Sequence, residues 1–570
     1  MLGQPERTTP RLLLDQRVPM RDGVTLSADV YLPPIGDGPW PAILQRTPYD
    51  NTAELWLKIA DFFARQGYAF VSQDVRGRCD SDGAWEPFVN EGPDGHDTIV
   101  WIGEQGWCDG KVGMMGGSYG GLVQWLAARE RPPYLAALAS TAAAGRWLEE
   151  LPYHSGVTSP FWIFWLNLVG GRTVQQPVLT NREAPDWPRI FTHRPLRDVD
   201  LALGRTNTVW RTWLAHPTFD EYWRRLSLRG HFGKIDLPVL HVTGWFDGDQ
   251  WGELFYWHGM VNESPAADRQ WLLVGPWDHA GTRTPKQQLG GRDFGPGALV
   301  DLNALHLRFF DRWLKGIENG AEHDARARLF VMGRNAWHQH DRWPPAETVV
   351  TAYYFHSGGG ANTLAGDGTL TTEAPTGVEP ADSYSYDPDD PTPSVPDLSA
   401  LPFGDVPFDN RWRLRRDDVL VYTSAPLEED LEITGHPFVV LHAASDCPDT
   451  DWFVTLCDVL PGGRSDELAS GCLRAAHREG LDAEPTPLEP GRVYEYRIEL
   501  LATSNVWQRG HRLRVTVASA NYPSQARNPN TNAAPGDDDV VRVARNSVYH
   551  TLVHPSRLLA PVVPRPAPEG

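Results

Sequence analysis

The sequence predicts an α/β domain with a mostly parallel sheet, a helical insertion in that domain, and a β-sandwich after it. Strand and helix patterns alternate over the first third of the chain, as is typical of a parallel sheet covered on both faces. Tryptophan-rich helical segments replace this alternation at 145–235, and short alternating strands dominate beyond 324. We therefore predict an α/β domain at 1–144 and 236–323, a helical cap at 145–235, and a jelly-roll β-sandwich at 324–563.

The elements of the α/β domain follow from periodicity and turn chemistry. "TLSADVYLP" (25–33) alternates as a strand after an Asp-Gly turn, and "AELWLKIADFFARQG" (53–67) has helical spacing and ends at a glycine. Further strands are predicted at 40–50, 68–75, 111–115, 237–247 and 270–279, and further helices at 91–105, after 120 and at 302–316.

The all-β region contains several short alternating segments separated by turns, such as "DWFVTLCDV" (451–459) and "HRLRVTVASA" (511–520). "RLFVMG" (328–333) is predicted to be its first strand. The Pro- and Asp-rich segment 387–402 is predicted to be a linker or long loop, and the tail 560–570 is predicted to be disordered.

Composition excludes several classes of function. The formal charge of −21 argues against nucleic-acid binding, and no apolar run reaches the ~18 residues of a membrane span. The five cysteines lack metal-ligand or disulfide-framework spacing, and residues 1–7 do not resemble a secretory signal. We expect a cytoplasmic protein that needs no metal or organic cofactor, contacts neither nucleic acid nor membrane, and acts on a small molecule. Self-association as a homodimer is left open.

"GMMGGSYGGLVQW" (113–125) carries the strongest chemical signal. Its G-x-S-x-G pattern centres on Ser118, with a strand pattern before it and a helix pattern after it, which is the context of a nucleophile elbow. A dinucleotide site is disfavoured because G-x-G-x-x-G is absent, and a phosphate-binding loop because no G-K-[ST] follows. A glycine-rich turn without catalytic function remains the alternative at this point.

Candidate partners follow Ser118 in the chain order expected for an α/β-hydrolase fold. Asp247 ends the predicted strand at 237–247, and His279 ends the predicted strand at 270–279. Each alone could be an ordinary loop residue. Asp249 and Asp278 are rival acids, but Asp278 adjoins the histidine and Asp249 lies further into its loop. Three residues in this order at three strand ends favour a Ser-His-Asp triad.

Several segments resemble one known family. They are "RTPYD" (46–50), "DVRGRCDSDG" (74–83), "WCDGKVGMMGGSYGG" (107–121), "GWFDGD" (244–249), "GPWDH" (275–279) and "RLFVMGRNAW" (328–337). Together they resemble the cocaine esterase, X-Pro dipeptidyl-peptidase and α-amino-acid ester hydrolase family of serine hydrolases, over nearly the whole chain.

This resemblance implies an α/β-hydrolase fold with a cap and a C-terminal jelly roll. It also implies that Ser118 is the nucleophile, His279 the base and Asp247 the acid that orients it. Tyr49 and the backbone N–H of Tyr119 would form the oxyanion hole.

One position departs from the family pattern. Cys79 stands where the family usually has glycine, and we expect it to be tolerated only if that turn does not require positive φ.

The substrate pocket is predicted from acidic and aromatic residues. By resemblance, an acidic residue two after the catalytic Asp belongs to a carboxylate cluster that binds a substrate ammonium, and here it is Asp249. Glu149 or Glu150 of the cap would complete the cluster, with a solvated helical pair and a turn carboxylate as the alternative. The cap tryptophans are predicted to wall an apolar pocket, although core packing explains them equally well; they are Trp147, Trp162 and Trp165.

The sequence leaves the reaction open within this chemistry. We expect a serine carboxylesterase or acyl hydrolase that cleaves an ester or amide, with a preference for amine-bearing acyl groups. An acyltransferase or an X-Pro-type peptidase would use the same triad, and a non-catalytic binding protein is the remaining alternative.

Overall fold

The computed structural model describes residues 8–174, 185–396 and 409–564 of the chain. Within these ranges no helix has both the length and the apolar character that a membrane span requires. The predicted linker at 387–402 extends into 397–408, and the predicted disordered tail ends in 565–570; both of these stretches lie outside the described residues.

A twisted, mostly parallel sheet forms the centre of the first domain. Before the cap, its strands are β1 (Arg11–Pro19), β2 (Thr25–Leu32), β3 (Trp40–Thr47), β4 (Ala69–Asp74), β5 (Cys108–Gly117) and β6 (Leu135–Thr141). The cap contains two short strands, β7 (Tyr153–His154) and β8 (Val157–Thr158). After the cap the sheet continues with β9 (Val239–Phe246) and β10 (Gln270–Asp278). A two-stranded hairpin of β11 (Gln288–Leu289) and β12 (Arg292–Asp293) follows, and the sheet is completed by β13 (Ala327–Val331) and β14 (Ala336–His340).

The strand order is β1-β2-β4-β3-β5-β6-β9-β10-β13-β14. The pairs from β4 to β13 in this order are parallel, whereas β1, β2 and β14 join antiparallel at the edges. Strands β3, β4, β9 and β10 are buried along nearly their whole length because helices cover both faces of the sheet. The carboxyl ends of β3, β5, β9 and β10 therefore meet at one edge, where ligands bind in open α/β sheets.

Three helices that cover the sheet precede the cap: α1 (Glu54–Arg65), α2 (Glu91–Gly103) and α3 (Tyr119–Arg129). The cap contains α4 (Phe161–Val169), α5 (Trp187–Phe191), α6 (Val199–Ala202), α7 (Thr208–Leu214) and α8 (Glu221–Arg224). Two further helices that cover the sheet follow the cap, α9 (Gln250–Glu263) and α10 (Leu302–Trp313). Each predicted helix of the α/β domain is present. α1 buries Trp56, Ala60, Phe63 and Ala64 and ends before Gly67, whose φ of +82° suits a glycine at a helix C-terminus.

The predicted start of the β-sandwich needs correction. Strand β13 lies beyond residue 324, yet it pairs parallel with β10 and its partner β14 pairs with it, so both extend the catalytic sheet. A short, mostly buried strand such as "ARLFV" is compatible both with a strand of a parallel sheet and with a strand of a β-sandwich. Periodicity therefore did not show which of the two domains β13 belongs to.

The β-sandwich consists of β15 (Val349–His356), β16 (Thr369–Thr371), β17 (Asp382–Tyr386), β18 (Leu420–Thr423), β19 (Leu431–Gly435), β20 (Phe438–Ser445), β21 (Asp451–Val459), β22 (Ser465–Arg474), β23 (Tyr494–Glu499), β24 (Thr503–Trp507), β25 (Arg512–Ala518), β26 (Ala544–Tyr549) and β27 (Arg557–Val563). Among the described residues of the sandwich, strand pairing is antiparallel apart from β16 with β18. The prediction that the tail is disordered from 560 is wrong at its start, because 560–563 belong to β27, which pairs with β15, β19 and β20.

The sandwich packs on the catalytic domain and the cap. The side chain of Gln250, at the start of α9, exchanges hydrogen bonds of 3.0 and 2.7 Å with the backbone of Ala502 in the sandwich. Arg146 of the cap donates to both carboxylate oxygens of Glu499 at 3.0 and 2.9 Å. These contacts fix the orientation of the sandwich relative to the carboxyl edge of the sheet.

Candidate active site

The nucleophile elbow joins β5 to α3. Ser118 adopts φ +62° and ψ −124°, a strained conformation between Gly117, the last residue of the strand, and Tyr119, the first of the helix. Gly116 has φ +148°, and a Cβ there would lie 2.9 Å from the carbonyl oxygen of Gly120. The two glycines two residues on either side of Ser118 thus let strand and helix approach closely enough for the turn to form.

The three predicted triad residues form one hydrogen-bonded chain. Nε2 of His279 lies 3.0 Å from Oγ of Ser118, and Nδ1 of His279 lies 2.7 Å from Oδ1 of Asp247. Asp247 is fully buried, whereas 39% of the His279 side chain is exposed. This arrangement allows the histidine to take a proton from the serine while the carboxylate fixes its tautomer.

Further contacts hold Asp247 in place. Its Oδ2 accepts a hydrogen bond of 2.9 Å from the Thr243 hydroxyl, and its Oδ1 accepts one of 3.0 Å from the backbone N–H of Asp249. Burial works against ionisation of Asp247, but the charge of His279 and these hydrogen bonds together hold its pKa below the ordinary value. Asp247 is therefore a carboxylate at neutral pH.

Asp249 lies close to the same imidazole without being its hydrogen-bond partner. Its Oδ2 is 3.8 Å from Nδ1 of His279. Burial raises the pKa of Asp249 to about 6, with the charge of Asp247 acting in the same direction. Burial alone would lower the pKa of His279, but the charges of Asp247 and Asp249 outweigh it and raise that pKa.

Two hydrogen-bond donors adjoin Ser118. Tyr49 follows β3, and its hydroxyl oxygen accepts a hydrogen bond of 2.9 Å from Nε1 of Trp165, which leaves the phenolic proton free to donate. Burial raises the pKa of Tyr49 to about 12, so the proton is retained. The backbone N–H of Tyr119 lies in the first turn of α3, where no carbonyl within the helix accepts from it.

The Tyr119 side chain anchors the elbow from behind. Its hydroxyl donates to Oε1 of Glu91 at 2.6 Å, and Oε2 of Glu91 lies 2.8 Å from Nη1 of Arg46. Both members of this ion pair are buried, and removing one partner of such a pair typically costs about 3–5 kcal/mol. The pair connects β3 and α2 to the elbow and so fixes the position of Ser118.

A cavity of about 670 Å³ opens in front of Ser118 between the catalytic domain, the cap and the sandwich. Its wall is largely aromatic, formed among others by Phe88, Phe161, Trp162, Phe164 and Trp165. Tyr49, Tyr119, Glu150, Asp249, His279 and Arg283 line it with polar groups.

The predicted carboxylate cluster is present in part. Glu150 lines the cavity with Asp249, and its carboxylate accepts backbone hydrogen bonds of 2.8, 3.0 and 2.9 Å from Gly145, Arg146 and Gly252. Burial, together with the nearby charge of Asp249, raises the pKa of Glu150. The glutamate is thus held rigidly beside Asp249.

The structure does not bring Glu149 or Trp147 to the cavity. The Glu149 carboxylate turns to Nε of Arg146 at 2.8 Å and to Arg229 at 3.3 Å. Trp147 is buried against Phe88 and Trp223 with ring centroids 5.3 and 5.4 Å away. The segment "WLEELP" (147–152) folds into a tight turn, so neighbouring side chains point in different directions. Residue types alone do not predict which of them faces the cavity.

Sequence reasoning missed two residues of the site. Glu91 gave no signal apart from its place at the start of a predicted helix. Arg283 lies four residues after His279 and lines the cavity, and only its position on the loop after a catalytic strand could have indicated it.

One group of side chains has metal-ligand types. Among the described residues, Asp50, Asp74 and Cys79 place potential ligand atoms within 4.8 Å of one another. Cys79 has φ +43°, so this turn does adopt the positive φ that the family glycine would favour. No other observation in the described residues indicates an ion at this position.

Two family models match the chain. The model described as X-Pro dipeptidyl-peptidase (S15 family) matches residues 22–281, and that of the X-Pro dipeptidyl-peptidase C-terminal non-catalytic domain matches residues 319–559. A cocaine esterase from Rhodococcus sp. (strain MB1 Bresler) is 36% identical over 578 residues, which cover 96% of this chain and 98% of the esterase.

Solved structures extend the similarity to the fold. An α-amino acid ester hydrolase superposes with a TM-score of 0.85 at 25% identity, covering 99% of each chain. An aminopeptidase from a marine sediment archaeon, Thaumarchaeota archaeon, gives the same TM-score of 0.85 and identity of 25%, also over 99% of each chain.

The fold, the nucleophile elbow and these relatives define a serine hydrolase with an α/β-hydrolase domain, a helical cap and a C-terminal jelly roll. More narrowly, the chain belongs to the family of serine hydrolases that comprises cocaine esterase, the X-Pro dipeptidyl-peptidases and the α-amino-acid ester hydrolases.

Proposed function

We propose that this serine hydrolase cleaves small esters or amides whose acyl group carries a free α-amine. The observation that carries this proposal is the pairing of Asp249 and Glu150 on the cavity wall beside Ser118. An ammonium placed between these carboxylates would gain charge-assisted hydrogen bonds in a partly desolvated site. The similarity to an α-amino acid ester hydrolase and to an aminopeptidase supports the same substrate class.

In the first half-reaction His279 acts as general base. Its Nε2 takes the proton of Ser118 as Oγ attacks the substrate carbonyl, and Asp247 stabilises the imidazolium that forms. The imidazolium then donates this proton to the leaving oxygen or nitrogen, whose bond to the acyl carbon breaks. The product of this half-reaction is an acyl-enzyme on Ser118.

In the second half-reaction water replaces the leaving group. His279 takes a proton from the water as it attacks the acyl carbon, and then returns that proton to Oγ of Ser118 as the acid departs. The oxyanion of each tetrahedral intermediate would accept hydrogen bonds from the Tyr49 hydroxyl and the Tyr119 N–H. These donors stabilise the transition state more than the bound substrate, because negative charge develops on this oxygen only as the carbonyl carbon is attacked.

The acyl side chain would occupy the aromatic part of the cavity. Trp162, Trp165 and Phe161 supply apolar surface there, and burying each methylene contributes about 0.8 kcal/mol. We therefore propose that the amino-acyl group of the substrate carries an apolar or aromatic side chain. The similarity to a cocaine esterase supports the apolar character of this part of the site.

The state of the cysteine thiols supports a proposal about the cellular compartment. Cys79, Cys108, Cys447, Cys457 and Cys472 are all free, which supports a reducing compartment, and we propose the cytoplasm.

Hydrolysis of aminoacyl esters against their N-acetylated counterparts tests the substrate class. The proposal requires a higher kcat/KM for the free amine, by about 10- to 100-fold, since a charge-assisted hydrogen bond is worth about 1.5–3 kcal/mol. Asp249→Asn should remove most of this preference, and Glu149→Gln, whose carboxylate faces away from the cavity, serves as the matched control. A wild-type preference for the blocked amine would contradict the proposal.

A further inference from the structure

Arg283 is a cation in the cavity that the triad chemistry does not use. It lies on the loop after β10, which is wound tightly: the N–H of Thr282 donates to the Asp278 carbonyl at 3.1 Å, and that of Arg283 to the Ala280 carbonyl at 3.1 Å. The Thr282 hydroxyl donates to the carbonyl of His279 at 2.7 Å. This winding fixes Arg283 relative to the catalytic histidine.

The arginine side chain lies against the nucleophile elbow. A Cβ built on Gly117 would be 3.0 Å from both Cδ and Nη1 of Arg283, so the glycine immediately before Ser118 makes room for the guanidinium. Any larger residue at 117 would have to displace it. The arginine stem thus packs on the strand end that carries the nucleophile.

The guanidinium is not neutralised by a direct contact. Its Nη1 atom is buried and has no hydrogen-bond partner among the described residues. It interacts electrostatically with Tyr49, Asp249 and His279, yet in the described part of the chain no carboxylate oxygen lies within 4.0 Å of it. A buried, unpaired N–H is costly, and a ligand oxygen would recover that cost.

We propose that Arg283 binds an anionic oxygen, a carboxylate, on the leaving group of the substrate. This inference rests on the proposed function and deepens it from the acyl side to the leaving-group side. His279 must protonate the leaving atom, so the leaving group lies next to the loop that carries both residues. Asp249 and Glu150 would select the amine of the acyl group, and Arg283 the opposite charge on the group that departs.

The arrangement corresponds to substrates with an ammonium on one side of the scissile bond and a carboxylate on the other. A dipeptide, or an aminoacyl ester of a hydroxy acid, has this charge pattern. Arginine suits such a site because its planar fork matches a carboxylate.

Four alanyl esters test the inference separately from the proposed function. The leaving group is 3-hydroxybenzoate or the uncharged 3-hydroxybenzamide of nearly the same shape, and the alanyl amine is free or acetylated. The acetylation arm tests the amine site, whereas the ratio of kcat/KM between benzoate and benzamide esters tests Arg283. Each ratio is measured whatever the outcome of the other.

For the wild type we expect the benzoate ester to exceed the benzamide ester by about 10- to 100-fold in kcat/KM. Arg283→Gln should bring this ratio to about one, because the glutamine amide no longer distinguishes the charge. Lys286→Gln is the matched control: it removes a cation of the same loop, 3.8 Å from Asp278, and should keep the wild-type ratio.

Fluorophosphonate labelling of Ser118 reports that each variant is folded, and Arg283→Lys, which keeps the charge, replaces the glutamine variant if that one does not fold. The lysine variant should give a ratio between one and the wild-type value. A wild-type ratio near one, or an unchanged ratio in Arg283→Gln, would overturn the inference.

Discussion

Oδ2 of Asp249 lies 3.8 Å from Nδ1 of His279, and the same nitrogen forms a hydrogen bond with the carboxylate of Asp247. Asp249 therefore lies beside the imidazole of His279, whereas Asp247 is the carboxylate that orients it. Its proximity links two properties of the site, the binding of an amine and the basicity of the histidine, and this linkage has a measurable consequence.

The acid limb of the pH profile should move when Asp249 is neutralised. His279 is a base only when unprotonated, so kcat/KM falls as the pH drops through its pKa, which Asp247 and Asp249 raise against the effect of burial. In Asp249→Asn one of these charges is lost, the pKa of His279 falls, and the acid limb shifts to lower pH.

An N-acetylated ester is the substrate for this measurement, because its binding does not depend on ionised Asp249. Glu149→Gln should leave the limb in place. An acid limb that moves to higher pH in Asp249→Asn would show that the carboxylate does not act on His279 in this way.

Tyr49→Phe should lower kcat/KM by about 10²–10³-fold, because one oxyanion donor is removed. The hydroxyl accepts from Nε1 of Trp165, so Trp165→Phe should have a smaller effect, about three- to tenfold, through loss of that orienting hydrogen bond. Steady-state kinetics with one ester, alongside thermal unfolding, separates the two variants. Equal losses in both would assign the effect to packing in the cavity instead of to oxyanion stabilisation.

Cys79 occupies a left-handed backbone conformation, with φ +43°. Cys79→Gly and Cys79→Ala both remove the thiol, but only glycine relieves the steric cost of the Cβ. We expect the glycine variant to exceed the alanine variant in free energy of unfolding by about 1 kcal/mol. Denaturant unfolding measures this difference, and an alanine variant that is the more stable would contradict the strain.

His550 in the sandwich is buried between two carboxylates, with Nε2 2.9 Å from Asp382 and Nδ1 2.9 Å from Glu379. Burial alone would lower its pKa, but the hydrogen bonds and charges of Asp382 and Glu379 raise it. Because the pKa of His550 is raised in the folded state, its full stabilising contribution is present when the pH is below the unfolded-state pKa of about 6.5. This contribution is lost as the pH rises through the folded-state pKa.

His550→Gln should therefore lower the free energy of unfolding by about 3 kcal/mol at pH 6, and by less at pH 9. The neighbouring Tyr422 hydroxyl, 2.8 Å from Asp382, is present in both proteins and does not alter this comparison. A loss that is the same at both pH values would show that the histidine contributes only as a neutral group.

The three predicted triad residues were accessible from the sequence because each follows a recognisable strand, whereas the predicted oxyanion role of Tyr49 came only from the family resemblance. Ser118, Asp247 and His279 stand at the ends of β5, β9 and β10, and parallel strands bring such ends together whatever the loops do. Helices α1, α2, α3 and α10 were predicted from sequence patterns, and α1 also from Gly67 at its end, whereas α9 was not predicted.

The rest depended on side-chain directions that no local pattern encodes. Glu149 and Glu150 are adjacent, yet only Glu150 reaches the cavity, where three backbone N–H groups hold it. Arg283 enters the site because Gly117 leaves space on another strand. The assignment of β13 to the sandwich failed because a short buried strand fits either sheet.

Ser118→Ala removes the hydroxyl that the proposed mechanism requires for attack on the substrate. We expect this variant to fold as the wild type does, to lose labelling by a fluorophosphonate probe, and to lose nearly all hydrolysis of an aminoacyl ester, at least about 10³-fold in kcat. A Ser118→Ala protein that keeps substantial hydrolytic activity would contradict the assignment of Ser118 as the nucleophile.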